Sequence, residues 1–317
     1  MQTRTSYILA ITALLIALAA PAADAHAHSR IIAFATGPPG HREIHLMRPD
    51  GSGRRALFKR APTAMGGIDD LVPRLSPNGR RIAFARATTP AAGYPENRGI
   101  YVVRTDGTHL RRLTTGHGVA RMDLSPTWSP DGRRIAFQRC RSGQPTELWV
   151  MNSDGTGQRR LASGLGGETI DWSSRNEIAY TDILTSAIDV IRPDGSGLRP
   201  LLPALGRAHA GEPAWSPDGT RLAFRSAAAV GWETTPGEGI YVVNRDGRGL
   251  RRVTRAMDYD PTWSPNGKRL LVTRRRVWRE PSGIPHSEAD LWRLDLHGGH
   301  LHRLVSVTYG AGWASWR

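Results

Sequence analysis

The 317-residue chain carries a formal charge of +15, and 41 of its 43 basic residues are arginines. Ten tryptophans and a hydrophobic content of 39% supply material for a large core, which excludes intrinsic disorder as the main description. The single cysteine, Cys140, excludes an internal disulfide framework and a structural zinc site built on thiolates.

The N-terminus has the three parts of a secretory signal peptide. Arg4 supplies the positive charge, Tyr7 to Ala20 form an apolar run, and Ala23-Asp24-Ala25 is a small-x-small cleavage site. The apolar run has about 14 residues, fewer than the ~20 that a membrane-spanning helix requires. We therefore interpret residues 1–25 as a signal peptide and predict export to the periplasm or the medium, with no transmembrane span.

A first sequence unit recurs along the chain and joins a tight turn to an apolar strand. Its clearest copy runs from Trp128 to Phe137, with the sequence WSPDGRRIAF. Pro-Asp-Gly or Pro-Asn-Gly between short apolar runs predicts two strands joined by a tight turn. Further copies begin at Leu75, Trp215 and Trp263, with a degraded copy at Trp172.

A second unit follows each first unit. In one copy, Ile100 to Val103 precede Asp106-Gly107, and a short basic strand follows at Arg111-Arg112-Leu113. Six copies begin at Ile44, Ile100, Leu148, Ile188, Ile240 and Leu291. Each pair of units therefore holds four antiparallel strands in about 49 residues, which is typical of a propeller blade.

The two ends of the chain complement each other. The first unit lacks its Trp-Ser-Pro strand, because Ile31 to Phe34 follow the signal peptide almost directly. The segment from Gly312 to Trp316 has the sequence of that missing strand. We predict an all-β, six-bladed β-propeller over residues 26–317, with four-stranded antiparallel blades. Its ring is closed by the C-terminal strand joining the N-terminal blade, which removes exposed sheet edges, and we expect a monomer.

The repeated Trp-Ser-Pro-Asp-Gly and Tyr/Trp-Val-Met/Val strings resemble the WD40-like propeller repeats of the TolB family. The resemblance covers about residues 30–317. It implies a six-bladed propeller and a role as a component of an envelope complex. TolB also carries an N-terminal α/β domain, for which we expect no counterpart here because strands begin within a few residues of the cleavage site.

Strand alternation places the tight turns on one side of the predicted disc, the turn face, and the long connections on the other, the loop face. Loops on a rigid scaffold commonly carry function. Trp232, Trp278 and Tyr94 fall in long connections, and Arg275 lies in the only dense basic cluster there. Because large aromatic and arginine side chains favour partner surfaces, we predict that these four bind a partner. The alternative is that the aromatic side chains fold back over their own blades.

Four acidic residues, Asp123, Asp171, Glu212 and Asp260, recur near the predicted channel mouth. Carboxylates grouped in this way bind a hard cation such as calcium, which is the one cofactor that the sequence suggests. The alternative is that these carboxylates bond loop N–H groups or pair with arginines such as Arg121.

These patterns favour a non-enzymatic, exported propeller that binds a protein or an anionic envelope component through its loop face. Nucleic acid is not expected as a partner because the chain is exported. A first alternative is a metal-dependent polysaccharide lyase or hydrolase acting at the channel mouth, and a second is a TolB-like component of an envelope complex. No catalytic residue is predicted. The lyase alternative requires three converging ligands, for which the loops offer His41, His117, His209 and His286.

Overall fold

The computed structural model describes nine stretches of the chain, which together contain 23 β-strands. The described stretches are residues 30–58, 67–89, 97–115, 121–202, 208–228, 237–279, 285–296, 299–306 and 311–317. Within these stretches there is no helix long and apolar enough to cross a membrane.

Blade 1 combines both ends of the chain. It contains β1 (Ile32–Thr36), β2 (Glu43–Met47), β3 (Arg55–Ala56) and, as its innermost strand, β23 (Ala311–Trp316). Strands β1 and β23 are antiparallel, with Ala33 opposite Ser315. Beyond their ends, Ile31 and Arg317 exchange two backbone hydrogen bonds of 2.8 and 3.1 Å. The predicted pairing of the C-terminal strand with the N-terminal blade is therefore present.

Blades 2, 3 and 4 follow the predicted order and are hydrogen-bonded into one eleven-stranded sheet. Blade 2 is formed by β4 (Gly67–Leu75), β5 (Arg81–Thr89), β6 (Asn97–Arg104) and β7 (Arg111–Arg112). Blade 3 contains β8 (Arg121–Trp128), β9 (Arg134–Arg141), β10 (Thr146–Asn152) and the first half of β11 (Arg159–Trp172). The second half of β11 begins blade 4, which continues with β12 (Ile178–Asp182), β13 (Ile188–Ile191) and β14 (Arg199–Pro200). Blades 3 and 4 merge because β11 runs uninterrupted from one into the other, and blade 2 joins blade 3 through a parallel bridge between Arg98 of β6 and Met122 of β8.

Blades 5 and 6 are separate four-stranded sheets. Blade 5 comprises β15 (Ala208–Trp215), β16 (Arg221–Ala228), β17 (Gly239–Asn244) and β18 (Arg251–Arg252). Blade 6 comprises β19 (Asp258–Trp263), β20 (Arg269–Arg279), β21 (Pro285–Asp295) and β22 (Leu301–Val305). The innermost strands contact one another in the cyclic order β23, β4, β8, β11, β15, β19 and back to β23. The six-bladed ring is therefore closed.

The hydrophobic core lies between neighbouring blades. In one cluster, Leu71 and Ala85 of blade 2 pack with Trp128 and Phe137 of blade 3. Each blade thus buries the apolar side chains of both its faces against its neighbours, which explains why the strands read as nearly continuous apolar runs.

Arginine side chains add a polar clasp between blades. The Arg81 guanidinium lies 4.7 Å from the centre of the Trp128 ring in the next blade and donates to the Gly132 carbonyl at 3.1 Å. Blade 5 repeats this geometry, since Arg221 lies 4.6 Å from the Trp263 ring and donates to the Gly267 carbonyl at 3.0 Å. We call this arrangement the arginine clasp.

Every innermost strand contains a bulge. At this point the register with the second strand shifts, for example between Tyr259 and Thr262 in β19. The bulged residue has a positive φ of 50–54° even though it is not glycine. These residues are Val72, Ser125, Glu212, Asp260 and Trp313, while β11 has Gly167 in its bulge. Because a bulge redirects side chains, it determines where the acidic residues of the channel point.

Candidate functional site

Backbone hydrogen bonds confirm the assignment of the two faces. The Thr105 N–H, in the turn after β6, donates to the carbonyl of Arg80, in the turn after β4, at 3.1 Å. Blade 3 repeats this bond from Ser153 to Arg133 at 2.8 Å. Both tight turns of a blade therefore lie on the turn face, and the longer connections lie on the loop face.

Three blades carry the same buried ion pair near the loop face. Asp70, Asp123 and Asp258 are fully buried, and each accepts two hydrogen bonds from an arginine 16 residues later. The Arg139 pair is typical, with its Nε 2.6 Å and its Nη2 2.9 Å from the Asp123 carboxylate oxygens. In blade 6 the bond to Asp258 raises the pKa of Arg274 above its usual value. These pairs join the first and second strands of each blade, a structural role that sequence reasoning missed although the 16-residue spacing recurs.

In the structure, Asp123 forms ion pairs with arginines. Pairing with arginine was the alternative to calcium binding for this carboxylate. Besides Arg139, Arg121 approaches the Asp123 carboxylate at 3.4 Å. The repeat position of Asp123 is filled in blade 6 by Asp258, not by Asp260, because each lies opposite its arginine in register. The sequence pattern groups Asp123 with Asp260 near the channel mouth, since the bulge that separates their positions is invisible in the motif.

The other three carboxylates accept backbone N–H groups of the following blade. Glu212 accepts the Asp260 N–H at 2.6 Å, and Asp260 accepts the Trp313 N–H at 3.3 Å. Asp171 accepts the Trp215 N–H at 2.7 Å. These bonds hold the innermost strands together around the channel.

The channel contains charges of both signs. Burial raises the pKa of Asp171, and the nearby Arg74 opposes this shift. Burial lowers the pKa of Arg74, while Asp171 and Asp260 raise it. Arg74 also donates to the carbonyl of Ala314 at 3.3 Å. Among the described residues, no group of three or more His, Cys, Asp or Glu side chains is arranged to hold a metal ion.

Two of the four histidines proposed for a lyase lie in blades that are not adjacent. His41 lies between β1 and β2 of blade 1, and His209 lies in β15 of blade 5, which is not adjacent to blade 1. His286 pairs through its backbone with β20 of blade 6, and its side chain lies outside the described part of the chain, as does all of His117.

The predicted aromatic patch falls mainly outside the described stretches. Tyr94 and Trp232 lie in residues 90–96 and 229–236, which the structure does not describe. Trp278 lies in β20 with its backbone opposite His286, and its side chain is not described. Arg275 is opposite Ala289 in the same hairpin. The patch of Tyr94, Trp232, Trp278 and Arg275 remains a prediction.

The long connection that contains Trp278, expected to be a loop, is largely a paired β-hairpin, and that expectation was wrong. Strands β20 and β21 pair over eleven positions, from Arg269 opposite Asp295 to Arg279 opposite Pro285. The sequence did not indicate these strands because charge pairs replace apolar alternation. Arg276, for example, lies opposite Glu288 and approaches its carboxylate at 3.0 Å. We call residues 274–290 the blade-6 hairpin.

Six four-stranded blades around a central channel define a closed β-propeller. Residues 59–201 match the family model of the TolB beta propeller domain. A curated TolB homolog from Chlorobium luteolum is 33% identical over 162 residues, which cover 50% of this chain and 35% of that protein. The chain is a β-propeller that is similar to these TolB propellers, and it spans about a third of the length of that relative.

Solved structures show the same architecture. TolB from Acinetobacter baumannii superposes with a TM-score of 0.69 at 16% identity, covering 90% of this chain and 66% of that one. An oligogalacturonate lyase in complex with manganese gives a TM-score of 0.56 at 12% identity, covering 88% of this chain and 74% of that one. At these identities both likenesses concern the fold alone.

Proposed function

We propose that this protein is an exported, non-enzymatic propeller that binds a protein or another component of the cell envelope through its loop face. The observation that carries the proposal is the blade-6 hairpin. Its strands continue five residues past the buried Asp258–Arg274 pair, which corresponds to about 17 Å of extended chain. The resemblance to TolB propellers supports a place in an envelope complex.

The composition and rigidity of the blade-6 hairpin suit a partner surface. Its β20 strand contains Arg274, Arg275, Arg276, Trp278 and Arg279, and tryptophan and arginine are the residues most often responsible for binding energy at interfaces. Because the hairpin is paired over residues 274–279 and 285–290, which the structure describes, a partner would order little additional backbone there on binding. The charge of +15 favours anionic partners through a salt-sensitive attraction.

The binding proposal is tested by affinity capture from envelope extract. We expect the double variant Trp232→Ala, Trp278→Ala to capture at least about tenfold less partner than the parent, since each aromatic anchor typically contributes more than ~1 kcal/mol of binding free energy. Its melting temperature should equal that of the parent. The matched control is Arg133→Ala on the turn face, which should capture the parental amount. Equal capture by the double variant and the parent would contradict a loop-face patch built on these tryptophans.

Export is tested separately by cell fractionation and intact mass. The proposal expects a mature chain that begins at His26 and is recovered outside the cytoplasm. A cytoplasmic chain that retains residues 1–25 would contradict export, whatever the outcome of the capture experiment.

A further inference from the structure

The arginine clasp is missing between blades 1 and 2. Ile32 of β1 and Ile82 of β5 occupy the same repeat position. The residue before Ile82 is the clasp arginine Arg81, whereas the residue before Ile32 is Ile31, which has no guanidinium. In blade 2, Leu75 stands where blade 3 has Trp128. This interface therefore lacks both the cation and the indole ring that fill the same space between blades 2 and 3.

A cavity of about 630 Å³ lies at this interface on the turn face. Ile31, Leu46 and Met47 contribute an apolar part of its lining. The charged part of the lining comes from one carboxylate, Asp106, and from Arg48, Arg55, Arg80 and Arg317. Its volume lies within the range of about 300–1,000 Å³ that is typical of small-molecule sites.

The Arg317 guanidinium is buried beside the channel, where it interacts with the Asp171 carboxylate, so the unpaired positive charge of the cavity comes from Arg48, Arg55 and Arg80. Arg55 donates to the carbonyl of Thr105 at 2.8 Å, and Arg48 approaches the Ser52 hydroxyl at 3.4 Å, so both bond to neutral partners. Among the described residues, none of these three arginines has a carboxylate within salt-bridge distance.

The Asp106 carboxylate is hydrogen-bonded within its own turn. Its Oδ1 accepts the Thr108 N–H at 2.8 Å and the Thr108 hydroxyl at 2.7 Å. Those two bonds lower the pKa of Asp106, which keeps it ionised at neutral pH. One carboxylate therefore accompanies the three arginines Arg48, Arg55 and Arg80 in the lining, and an entering anion would reduce their mutual repulsion and form charge-assisted hydrogen bonds.

We propose that this cavity binds a small organic anion that combines a carboxylate or phosphate group with an apolar, ring-sized body. The arginines bind the charged group, and the apolar body lies against Ile31 and Leu46, in the space that the clasp fills between blades 2 and 3 and between blades 5 and 6. This site lies on the turn face and does not depend on the loop-face partner.

Calorimetric titration of the mature protein tests the ligand class with four probes: phenyl phosphate, benzoate, inorganic phosphate and phenol. We expect phenyl phosphate to bind about tenfold more tightly than inorganic phosphate, because the ring buries apolar surface. Phenol should bind at least tenfold more weakly than phenyl phosphate, and added salt should weaken phenyl phosphate binding. Comparison of benzoate with phenyl phosphate distinguishes a carboxylate site from a phosphate site. Equal affinities for phenyl phosphate and inorganic phosphate would overturn the proposal.

Three variants locate the site. Arg80→Glu should weaken phenyl phosphate binding at least tenfold, whereas Arg133→Glu, the same repeat position in blade 3, should leave it unchanged because the clasp fills that interface. Ile31→Trp should reduce phenyl phosphate affinity to that of inorganic phosphate by occupying the apolar part of the cavity. Melting curves verify that each variant is folded. Equal losses in Arg80→Glu and Arg133→Glu would show a general charge effect and would contradict a site at this cavity.

Discussion

Arginine side chains perform three distinct structural tasks in this protein. Arg274 and its two counterparts form buried ion pairs, and Arg81 and Arg221 form clasps. The outer-strand Arg199 of blade 4 donates to the Arg245 carbonyl of blade 5 and to the Glu177 carboxylate of its own blade. Much of the +15 charge is therefore used within the fold, and the outer-strand arginines join blades in addition to protecting sheet edges.

The buried pairs predict an asymmetric response to mutation. Arg274→Met leaves Asp258 buried without its main partner, so we expect the free energy of unfolding to fall by about 3–5 kcal/mol. The double variant Asp258→Asn, Arg274→Met should recover most of that loss, because no charge remains buried. Arg133→Met on the exposed turn should stay within about 0.5 kcal/mol of the parent. Urea denaturation provides the values, and a loss under ~1 kcal/mol for Arg274→Met would contradict the pairing.

Asp218 gives a pH-dependent contribution to stability. Burial raises its pKa, but hydrogen bonds from Ser216 and Thr220 outweigh this effect and bring the pKa to about 2. Since the pKa is lower in the folded state than the usual 3.8, the contribution is present above about pH 4 and is lost as the pH falls towards 2.

Asp218→Asn should therefore be less sensitive to acid than the parent between pH 4 and pH 2. At pH 7 the variant should lose little stability, because asparagine already occupies this position in two other blades. There Asn78 and Asn266 each accept the hydroxyl of the equivalent serine. Thermal melts at pH 7, 4 and 2.5 measure both effects, and an acid response identical to that of the parent would contradict the assignment.

At the scale of single elements, the bulge in each innermost strand is the feature that organises the channel. It directs Glu212 and Asp260 to the N–H groups of the next blade. In β11 the bulge is formed by Gly167, whose φ is +75°. A Cβ atom there would lie 2.9 Å from the Thr181 hydroxyl, so the close approach of Thr181 favours glycine at this bulge in addition to the positive φ.

Gly167→Ala should therefore cost about 2–3 kcal/mol of stability, in part from the positive φ and in part from the contact with Thr181. Gly164→Ala is the matched control, because Gly164 has a similar φ of +83° in the same strand but no atom within 4 Å of a new Cβ. It should cost about 1–2 kcal/mol. Equal costs for the two variants would contradict the packing of the bulge against Thr181.

The sequence predicts those elements whose geometry is encoded locally. Pro-Asp-Gly after Trp128 fixes a turn through its own side chains, since the Asp131 carboxylate accepts the Arg133 N–H at 3.0 Å. The blade-6 hairpin and the bulges depend on a partner strand, so their local sequence contains no comparable signal. The same limit explains why the sequence pattern groups Asp123 with Asp260, and why the missing clasp at Ile31 became visible only between assembled blades.

At the scale of the whole molecule, stability depends on closing the ring. Ala314 and Trp316 of β23 pack in one cluster with Ile32 and Phe34 of blade 1 and Leu271 of blade 6. The last strand thus joins the first blade to the sixth. It also reaches blade 2, where the Ser315 hydroxyl accepts the Leu75 N–H at 3.0 Å.

The most direct test of this closure is a thermal melt of the mature chain lacking residues 310–317, with and without a synthetic peptide of that sequence. We predict a broadened transition with a midpoint lowered by on the order of 10 °C or more, because two large apolar residues and a full strand pairing are lost. The added peptide should restore much of the parental midpoint by pairing with β1. A truncated chain that melts like the full-length protein, and that ignores the peptide, would contradict a propeller closed by its C-terminal strand.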